Sequence, residues 1–304
     1  MVTQFRIDIH AHLRPDDAAP SKMPTPEELL LMYEKAGIRR GILLPFISLK
    51  SKPGVLTAEN ARALSERYPD RFFWFTTLDL EENWSREKMM GFLESEKKAG
   101  AKGVGEITSK FRFDSPQVEM LFSCCEELDL PMLFHLAADF EDAYGVVDDA
   151  GLPQMERMLQ RHPRARFVGH AVPYWSEISV LESPEDRKRR IKEKVTEGRL
   201  AEIMRQNPNL YCDLSAGSGS NAMMRDREYT VKFLNEFSDR ILFGCDITSP
   251  TVTFPFQLIA FLDQLLEEDE ISEELWERIF FRNAMALFGI SEKDLCLEEG
   301  SDHV

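Results

Sequence analysis

Apolar and polar positions along this 304-residue chain follow two periods that take turns. Short runs of period two, or wholly apolar, read as strands: "FRIDIHAH", "RRGILLPF", "RFFWFTTLD", "AKGVGEI", "PMLFHL", "RFVGHA", "LYCDLSA" and "ILFGCDI". Between them lie stretches with apolar residues every three or four positions, such as "PEELLLMYEKAG", "AENARALSERYP", "REKMMGFLESEKKAG" and "VEMLFSCCEELDL". Several close on Gly or Pro, as helix ends do. "DREYTVKFLNEFSD" joins the seventh strand to the eighth, and "FQLIAFLDQLLEED" and "EELWERIFFRNAMALFGI" complete the series. Strict alternation of strand and helix predicts parallel strands with right-handed crossovers. Eight such units predict an α/β fold, a closed (β/α)8 TIM barrel with an additional C-terminal helix. No linker or internal repeat divides it, so residues 1–290 are expected to form one barrel domain and 291–304 an acidic C-terminal tail. No Gly-x-Gly-x-x-Gly follows the first strand, which leaves a dinucleotide-binding open sheet without support.

The longest interruption, Val172 to Asn209, begins with the aromatic loop "VPYWSEISVLESPED" and continues into a very polar stretch read as a helix. Its basic run, Arg187 to Arg190, is flanked by acids and reads as a solvated helix face rather than a nucleic-acid patch. Net charge sharpens this: at −16 the chain repels nucleic acid and anionic membrane, so neither is expected as a partner. The longest apolar run, "FPFQLIAFL", is far too short to span a bilayer, and no signal peptide is expected. The five cysteines show no zinc-finger spacing and read as reduced residues of a cytoplasmic protein. A small-molecule substrate is the expected partner, and a homo-oligomer stays open.

Chemistry concentrates where strands end. In "IDIHAHLRP", Asp8, His10 and His12 alternate with Ile7, Ile9 and Ala11, so both histidines are expected on one inward face with Asp8 deeper on the same face. His135 closes the fifth strand on the side of Leu133, and His170 closes the sixth on the side of Val168. Asp246 shares a face with Leu242 and Gly244 in the eighth, and Glu106 stands at the matching height in "GVGEI". In a barrel of this kind such ends converge on one rim. Imidazoles and carboxylates without a placed thiolate suit Zn2+, Mn2+, Ni2+ or Fe2+, and six candidates exceed what one ion needs. A cluster of this kind without a cation would repel or stay unsatisfied. His162 and His303 are assigned to the surface.

These segments resemble the amidohydrolase superfamily, and within it the amidohydrolase-related branch of metal-dependent barrel hydrolases and decarboxylases. "DIHAH", "LFHL", "FVGHA", "NPNLYCDLSAGSG", "DRILFGCDITSP" and "RNAMALFGI" carry the likeness in order along nearly the whole chain. The resemblance implies a divalent ion, Zn2+ ahead of the others, bound by His10, His12, His135 and Asp246. Asp246 would also move protons, and His170 would polarise substrate or bind a second ion. "GVGEI" is similar to the Gly-Glu with which TatD-like relatives bridge two ions; a salt bridge from Glu106 to Lys110 or Arg112 is the competing account.

The expected reaction is attack of a metal-activated water on an amide, lactone or related ester-like bond. Non-oxidative decarboxylation of an unsaturated or aromatic acid, and a TatD-like phosphodiesterase, are the alternatives. Arg14, two residues past His12, sits where dihydroorotase-like members use an Arg for a substrate carboxylate. Tyr174 and Trp175, after the sixth strand, either wall an organic substrate or pack the long loop.

Overall fold

The computed structural model describes residues 5–15, 21–46 and 56–295. Cys296, His303 and most of the acidic tail lie outside the described residues. β1 (Arg6–Ala11), β2 (Ile38–Leu43) and β3 (Phe72–Trp74) pair in parallel, as do β4 (Val104–Ile107) and β5 (Met132–Ala137). A two-residue β6 (Val146–Val147) flanks the end of β5, and the main ladder continues through β7 (Phe167–His170), β8 (Leu210–Asp213) and β9 (Ile241–Leu242). Backbone bonds cross both remaining gaps. Thr76 N–H donates to Gly103 O (3.0 Å) and Gly105 N–H to Thr76 O (2.8 Å), joining β3 to β4. Ile9 N–H donates to Phe243 O (3.1 Å) and Asp246 N–H to His10 O (2.8 Å), joining β9 back to β1. The eight principal strands therefore close on themselves as a (β/α)8 barrel.

The helices between strands are α1 (Pro26–Ala36), α2 (Ala58–Arg67), α3 (Arg86–Lys98), α4 (Pro116–Glu127) and α5 (Pro153–Arg161). After β7 come α6 (Val172–Ser176) and α7 (Arg199–Gln206), and after β8 come α8 (Ala216–Met224) and α9 (Arg227–Glu236). α10 (Phe254–Glu267), α11 (Glu273–Glu277) and α12 (Asn283–Phe288) finish the chain. Local signals set their ends. α1 starts on a capping box between Thr25 and Glu28 with Pro26 in its first turn, and stops at Gly37, whose φ of 63° suits a residue without Cβ. No described helix is long and apolar enough to cross a membrane.

Two apolar layers result. Ile7, Ile9, Ile42, Leu133, Val168 and Leu242 fill the ring, and α12 adds Leu287 and Phe288 to the same cluster. Lys102, just before β4, donates to Gly289 O, so this plug sits at the N-terminal strand ends and leaves the opposite rim free. Cys124, Cys125 and Cys212 pack in the outer layer between strands and helices, and Cys245 joins them; all four are free thiols.

β1 departs from simple alternation. Asp8 pairs with Gly41 but Ala11 with Leu43, so three steps of β1 oppose two of β2. This is a β-bulge, and the extra residue reverses the facing of everything beyond it. Ile7 and Ile9 face the ring interior, yet so do His10 and His12. Asp8, expected beside them, is turned outward instead. There its carboxylate accepts from Tyr33 Oη–H (2.5 Å), His10 N–H (2.9 Å) and Cys245 N–H (2.8 Å). The tyrosine reaches it across Gly41, where an added Cβ would stand 2.5 Å from its hydroxyl.

The segment after α6 also differs from expectation. In place of one long polar helix, Pro184–Lys188 forms a 3-10 turn and regular helix begins only at Arg199. Arg187 is buried, because its Nη1 donates to Asp148 O (2.8 Å) and Ala138 O (3.3 Å) while Nε lies 3.2 Å from Glu177. Arg189 pairs with Asp186, and Lys188, Arg189 and Arg190 are exposed, so the run is solvated except at Arg187 but is not a helix face. His162, assigned to the surface, is buried between α4 and α5 with Nδ1 3.2 Å from Glu126.

Tyr33→Phe should leave the Asp8 carboxylate short of a donor and cost about 1–3 kcal/mol of stability. The urea midpoint of the variant measures this, and an unchanged midpoint would show that the bond holds nothing.

Candidate metal centre

His10, His12, Glu106, His135, His170 and Asp246 meet at the free rim. Two bulges make this possible. Beyond the one in β1, β4 carries an irregularity of the same kind: Val104 pairs with Met132 and Ile107 with Phe134, and both Val104 and Ile107 pack outward. The intervening extra residue turns Glu106 inward, where it is almost fully buried. His135 and His170 follow ordinary strand parity and lie opposite each other in the β5–β7 ladder. Asp246 stands past the end of β9 with φ 52°, a left-handed backbone unusual outside glycine. Its N–H is held by His10 O.

Hydrogen-bond partners fix the imidazoles. His10 Nδ1 lies 2.6 Å from Asp213 Oδ2, and His12 Nδ1 lies 3.1 Å from Leu44 O. A carboxylate and a carbonyl only accept, so both Nδ1 atoms carry hydrogen and both Nε2 atoms present lone pairs in the neutral rings. Those two Nε2 atoms are 2.9 Å apart. Glu106 Oε2 is 3.7 Å from the first and 3.5 Å from the second; Asp246 Oδ1 is 3.8 and 3.4 Å away. Four acceptors thus converge with no donor among them. Tetrahedral ligands about 2.1 Å from an ion lie about 3.4 Å from one another, so this donor set fits a divalent cation.

Glu106 looks both ways. Its Oε1 is 2.8 Å from His135 Nδ1 and 4.0 Å from His170 Nε2, so Glu106, His135 and His170 form a second group sharing one carboxylate with the first. His135 therefore lies with Glu106 and His170 rather than against His10 and His12. Neither Lys110 nor Arg112 pairs with Glu106; Arg112 is engaged by Asp149.

Charge follows the geometry. Burial would push the Glu106 and Asp213 carboxyls up, but the surrounding imidazoles outweigh it and hold both well below the usual range. Burial likewise opposes charge on His10, yet Asp213 and Glu106 hold its pKa well above an ordinary histidine. The cluster demands positive charge, which a proton or a divalent cation supplies.

Asp213 and Ser215 complete the picture and were not among the sequence candidates. Asp213 Oδ2 accepts from Ser215 Oγ–H (2.6 Å) and lies 3.1 Å from His170 Nδ1, so one buried carboxylate orients two histidines. The signal existed, since Leu210 and Cys212 face outward and parity places Tyr211 and Asp213 inward. Phe46, stacked on His12 at 4.2 Å, and Tyr144, 4.5 Å from the His135 ring, also border the site. Tyr174 and Trp175 do not wall it. Both are buried in the outer layer, where Tyr174 Oη lies 3.0 Å from Cys212 Sγ and Trp175 Nε1 donates to Asp213 O (2.9 Å). Arg14 follows Leu13, which packs outward, and its Nε is buried without a hydrogen-bond partner among the described residues.

A family model described as amidohydrolase matches residues 7–290. The chain belongs to the amidohydrolase family. This family is metal-dependent, and hydrolases and decarboxylases occur among the proteins that share its fold. An uncharacterised TIM-barrel protein from Bordetella bronchiseptica superposes with a TM-score of 0.62 at 18% identity, covering 94% of this chain and 99% of its own. A dihydroxybenzoic acid decarboxylase from Polaromonas sp. JS666, with manganese and 2-nitroresorcinol bound, gives 0.59 at 17% over 96% and 99%. A probable 2-pyrone-4,6-dicarboxylic acid hydrolase from Acinetobacter baumannii gives 0.56 at 14% over 93% and 99%. No curated protein matches.

Asp213→Asn is expected to weaken divalent-metal affinity about 10–100-fold in chelator competition, because it loosens the tautomer and orientation of His10. Tyr174→Phe, in the outer layer, should leave that affinity unchanged.

Proposed function

We propose that this amidohydrolase is a hydrolase acting on an amide, lactone or related ester-like bond of a small organic carboxylate. The observation that carries the reading is the convergence of His10 Nε2, His12 Nε2, Glu106 Oε2 and Asp246 Oδ1 without a hydrogen-bond donor. A divalent cation, Zn2+ first, held by His10, His12, Asp246 and Glu106 would supply Lewis acidity and bring a water's pKa down from 15.7 toward about 7. His135 completes that set or, with His170 and the other oxygen of Glu106, holds a second ion.

Asp246 is the natural proton carrier. Its carboxylate is 19% exposed where Glu106 and Asp213 are closed off, so it alone of these acids meets both the buried imidazoles and incoming solvent. It takes a proton from the attacking water and returns it to the leaving group. His170, with Nδ1 fixed by Asp213 and Ser215, keeps Nε2 directed at the same space, where its lone pair accepts a hydrogen bond from a substrate donor or holds an ion. Arg14 pairs with the substrate carboxylate, and the rings of Phe46 and Tyr144 favour a flat substrate body.

Decarboxylation at the same centre is the second reading, supported by the likeness to a manganese-bound dihydroxybenzoic acid decarboxylase and by those two rings. The two separate cleanly with one substrate panel. Uptake of 18O from labelled water into product supports hydrolysis, and stoichiometric CO2 release without 18O uptake supports decarboxylation and removes the first reading.

Asp246→Asn should preserve the fold by circular dichroism and lower kcat by about 100- to 10,000-fold. Retained turnover would remove Asp246 from the proton path. Arg14→Ala should raise KM with kcat little changed, the pattern of lost ground-state binding. Metal analysis of chelator-free protein should return about one ion per chain from the four-acceptor group; a stoichiometry near two would assign the second to Glu106, His135 and His170.

A further inference from the structure

The six side chains that meet at the candidate metal centre all turn acceptors toward its interior. His10 and His12 present bare Nε2 atoms, because acceptors hold their Nδ1 hydrogens. His135 Nδ1 lies 2.8 Å from Glu106 Oε1 and His170 Nδ1 lies 3.1 Å from Asp213 Oδ2, so the Nε2 atoms of both are bare as well. Glu106 and Asp246 are carboxylates, and the Ser215 hydroxyl donates to Asp213. A cation can face one lone pair of a carbonyl oxygen that gains negative charge under attack. A hydrogen bond to the other lone pair has to come from a group outside this set.

The loop over residues 138–145 brings such a group. Its ends are fixed: Ala138 N–H donates to Asp142 Oδ2 (2.6 Å), Arg187 Nη1 to Ala138 O (3.3 Å), and Gly145 N–H to Thr108 O (2.8 Å). Gly145 takes φ 117°, and an added Cβ there would stand 2.9 Å from His135 O, so a residue without Cβ lets the loop lie this close to the strand end. Tyr144 is thereby laid against His135, ring centroids 4.5 Å apart, and faces Phe46 at 6.3 Å, while Phe46 stacks on His12 at 4.2 Å. The Tyr144 ring is half-buried, and its hydroxyl has no hydrogen-bond partner among the described residues. Tyr33, by contrast, commits its hydroxyl to Asp8. Burial, then the charges of Glu106 and Asp246, raise the Tyr144 pKa above that of an ordinary tyrosine, so both carboxylates stand near enough to act on the phenol and it keeps its proton.

We infer that Tyr144 is a catalytic residue whose Oη–H donates a hydrogen bond to the oxygen of the attacked carbonyl, an inference that rests on the hydrolysis proposed above. As water adds to the carbon, the C=O π pair moves onto that oxygen and the bond from Tyr144 strengthens, with the proton remaining on the phenol. The pair returns to carbon when the leaving group departs with the proton carried by Asp246. A hydroxyl that bonds to nothing in the fold can be removed without loss of stability, which separates this role from a structural one. Thr77 carries the competing hydroxyl. It follows Phe75 on the inward face of β3, is 4% exposed, and its Oγ1 has no partner among the described residues. The Thr76–Val104 pairing sets it opposite Gly105, and its short side chain keeps that hydroxyl against the strand wall.

The test uses the full chain purified without chelator, as wild type, Tyr144→Phe and Thr77→Val. Thermal melting and metal analysis control for folding and for the metal centre, and neither should change in Tyr144→Phe, which keeps the ring. Calorimetric titration with phenylphosphonate, a tetrahedral oxyanion on a flat ring, should show affinity weakened about tenfold or more in Tyr144→Phe and unchanged in Thr77→Val. With 4-acetoxybenzoate, a flat ester bearing a carboxylate, Tyr144→Phe should lower kcat about 100- to 1,000-fold with KM little changed. Phenylphosphonate affinity that is indifferent to Tyr144→Phe, or absent in wild type, overturns the assignment even if kcat falls. Weaker binding in Thr77→Val with none in Tyr144→Phe moves the donor to Thr77 and also overturns it. A lowered Tm or metal content accompanying the weaker binding of Tyr144→Phe makes the hydroxyl structural and overturns it as well. Wild type that leaves 4-acetoxybenzoate intact, while Tyr144→Phe still weakens phenylphosphonate binding, tells against the hydrolytic reading alone and supports Tyr144 as the oxyanion donor, because the affinity ratio is read without turnover.

Discussion

The Asp8 carboxylate is the point on which the rest of the structure turns. It is fully buried, and burial raises its pKa to about 6 even against three hydrogen bonds. Those bonds each fix something different. Tyr33 ties β1 to α1, the His10 N–H stabilises the bulge that turns two imidazoles inward, and the Cys245 N–H fastens β9 beside the residue preceding Asp246. One carboxylate outside the ring thus sets candidate ligands inside it. A buried acid with this many donors resists substitution more than any single apolar contact, since removing it leaves donors unpaired as well as a void.

Electrostatics at the rim follow from the same economy of space. Glu106, Asp213 and Asp246 all approach a group of imidazoles whose outer nitrogens are already committed to acceptors. Those acceptors include Asp213 and one oxygen of Glu106, whereas Asp246 and the other oxygen of Glu106 face the bare Nε2 atoms of His10 and His12. Glu106 uses one oxygen on each side of the cluster, so the two groups of donors are coupled through a single side chain rather than lying side by side. Asp213 couples them again from below, through His10 and His170. Changes at either group are transmitted to the other by short, buried contacts.

Much of this was legible from the chain. The eight-fold alternation gave the barrel, and strand parity brought His135, His170 and Asp246 to one rim because β5, β7 and the approach to Asp246 alternate regularly. Parity failed at β1 for a physical reason. A bulge adds one residue without disturbing the written alternation of Ile7, Asp8, Ile9 and His10, so period two continued in the letters after it had shifted in space. Both histidines were still placed inward, while Asp8 was assigned to the wrong face. Asp213 was readable by the same parity in β8. Tyr174 and Trp175 were not, because following a strand end says nothing about direction: α6 turns both rings back over the strands. The basic run misled at Arg187, whose guanidinium meets backbone carbonyls and Glu177 that only the folded chain brings near.

The bond between Asp8 and the Cys245 N–H spans 237 positions, and Arg6 meets Asp263 across 257. The candidate metal centre is in this sense a seam between stretches far apart along the chain. His10 and His12 are made well before Asp246 and the strand that leads to it. Contacts of such long range are entropically late, formed once the intervening loops are already organised. A chain lacking the last strand offers the imidazoles and Glu106 without Asp246, so the complete donor set arrives together with closure of the ring. Assembly of the barrel and acquisition of its chemistry are then a single event.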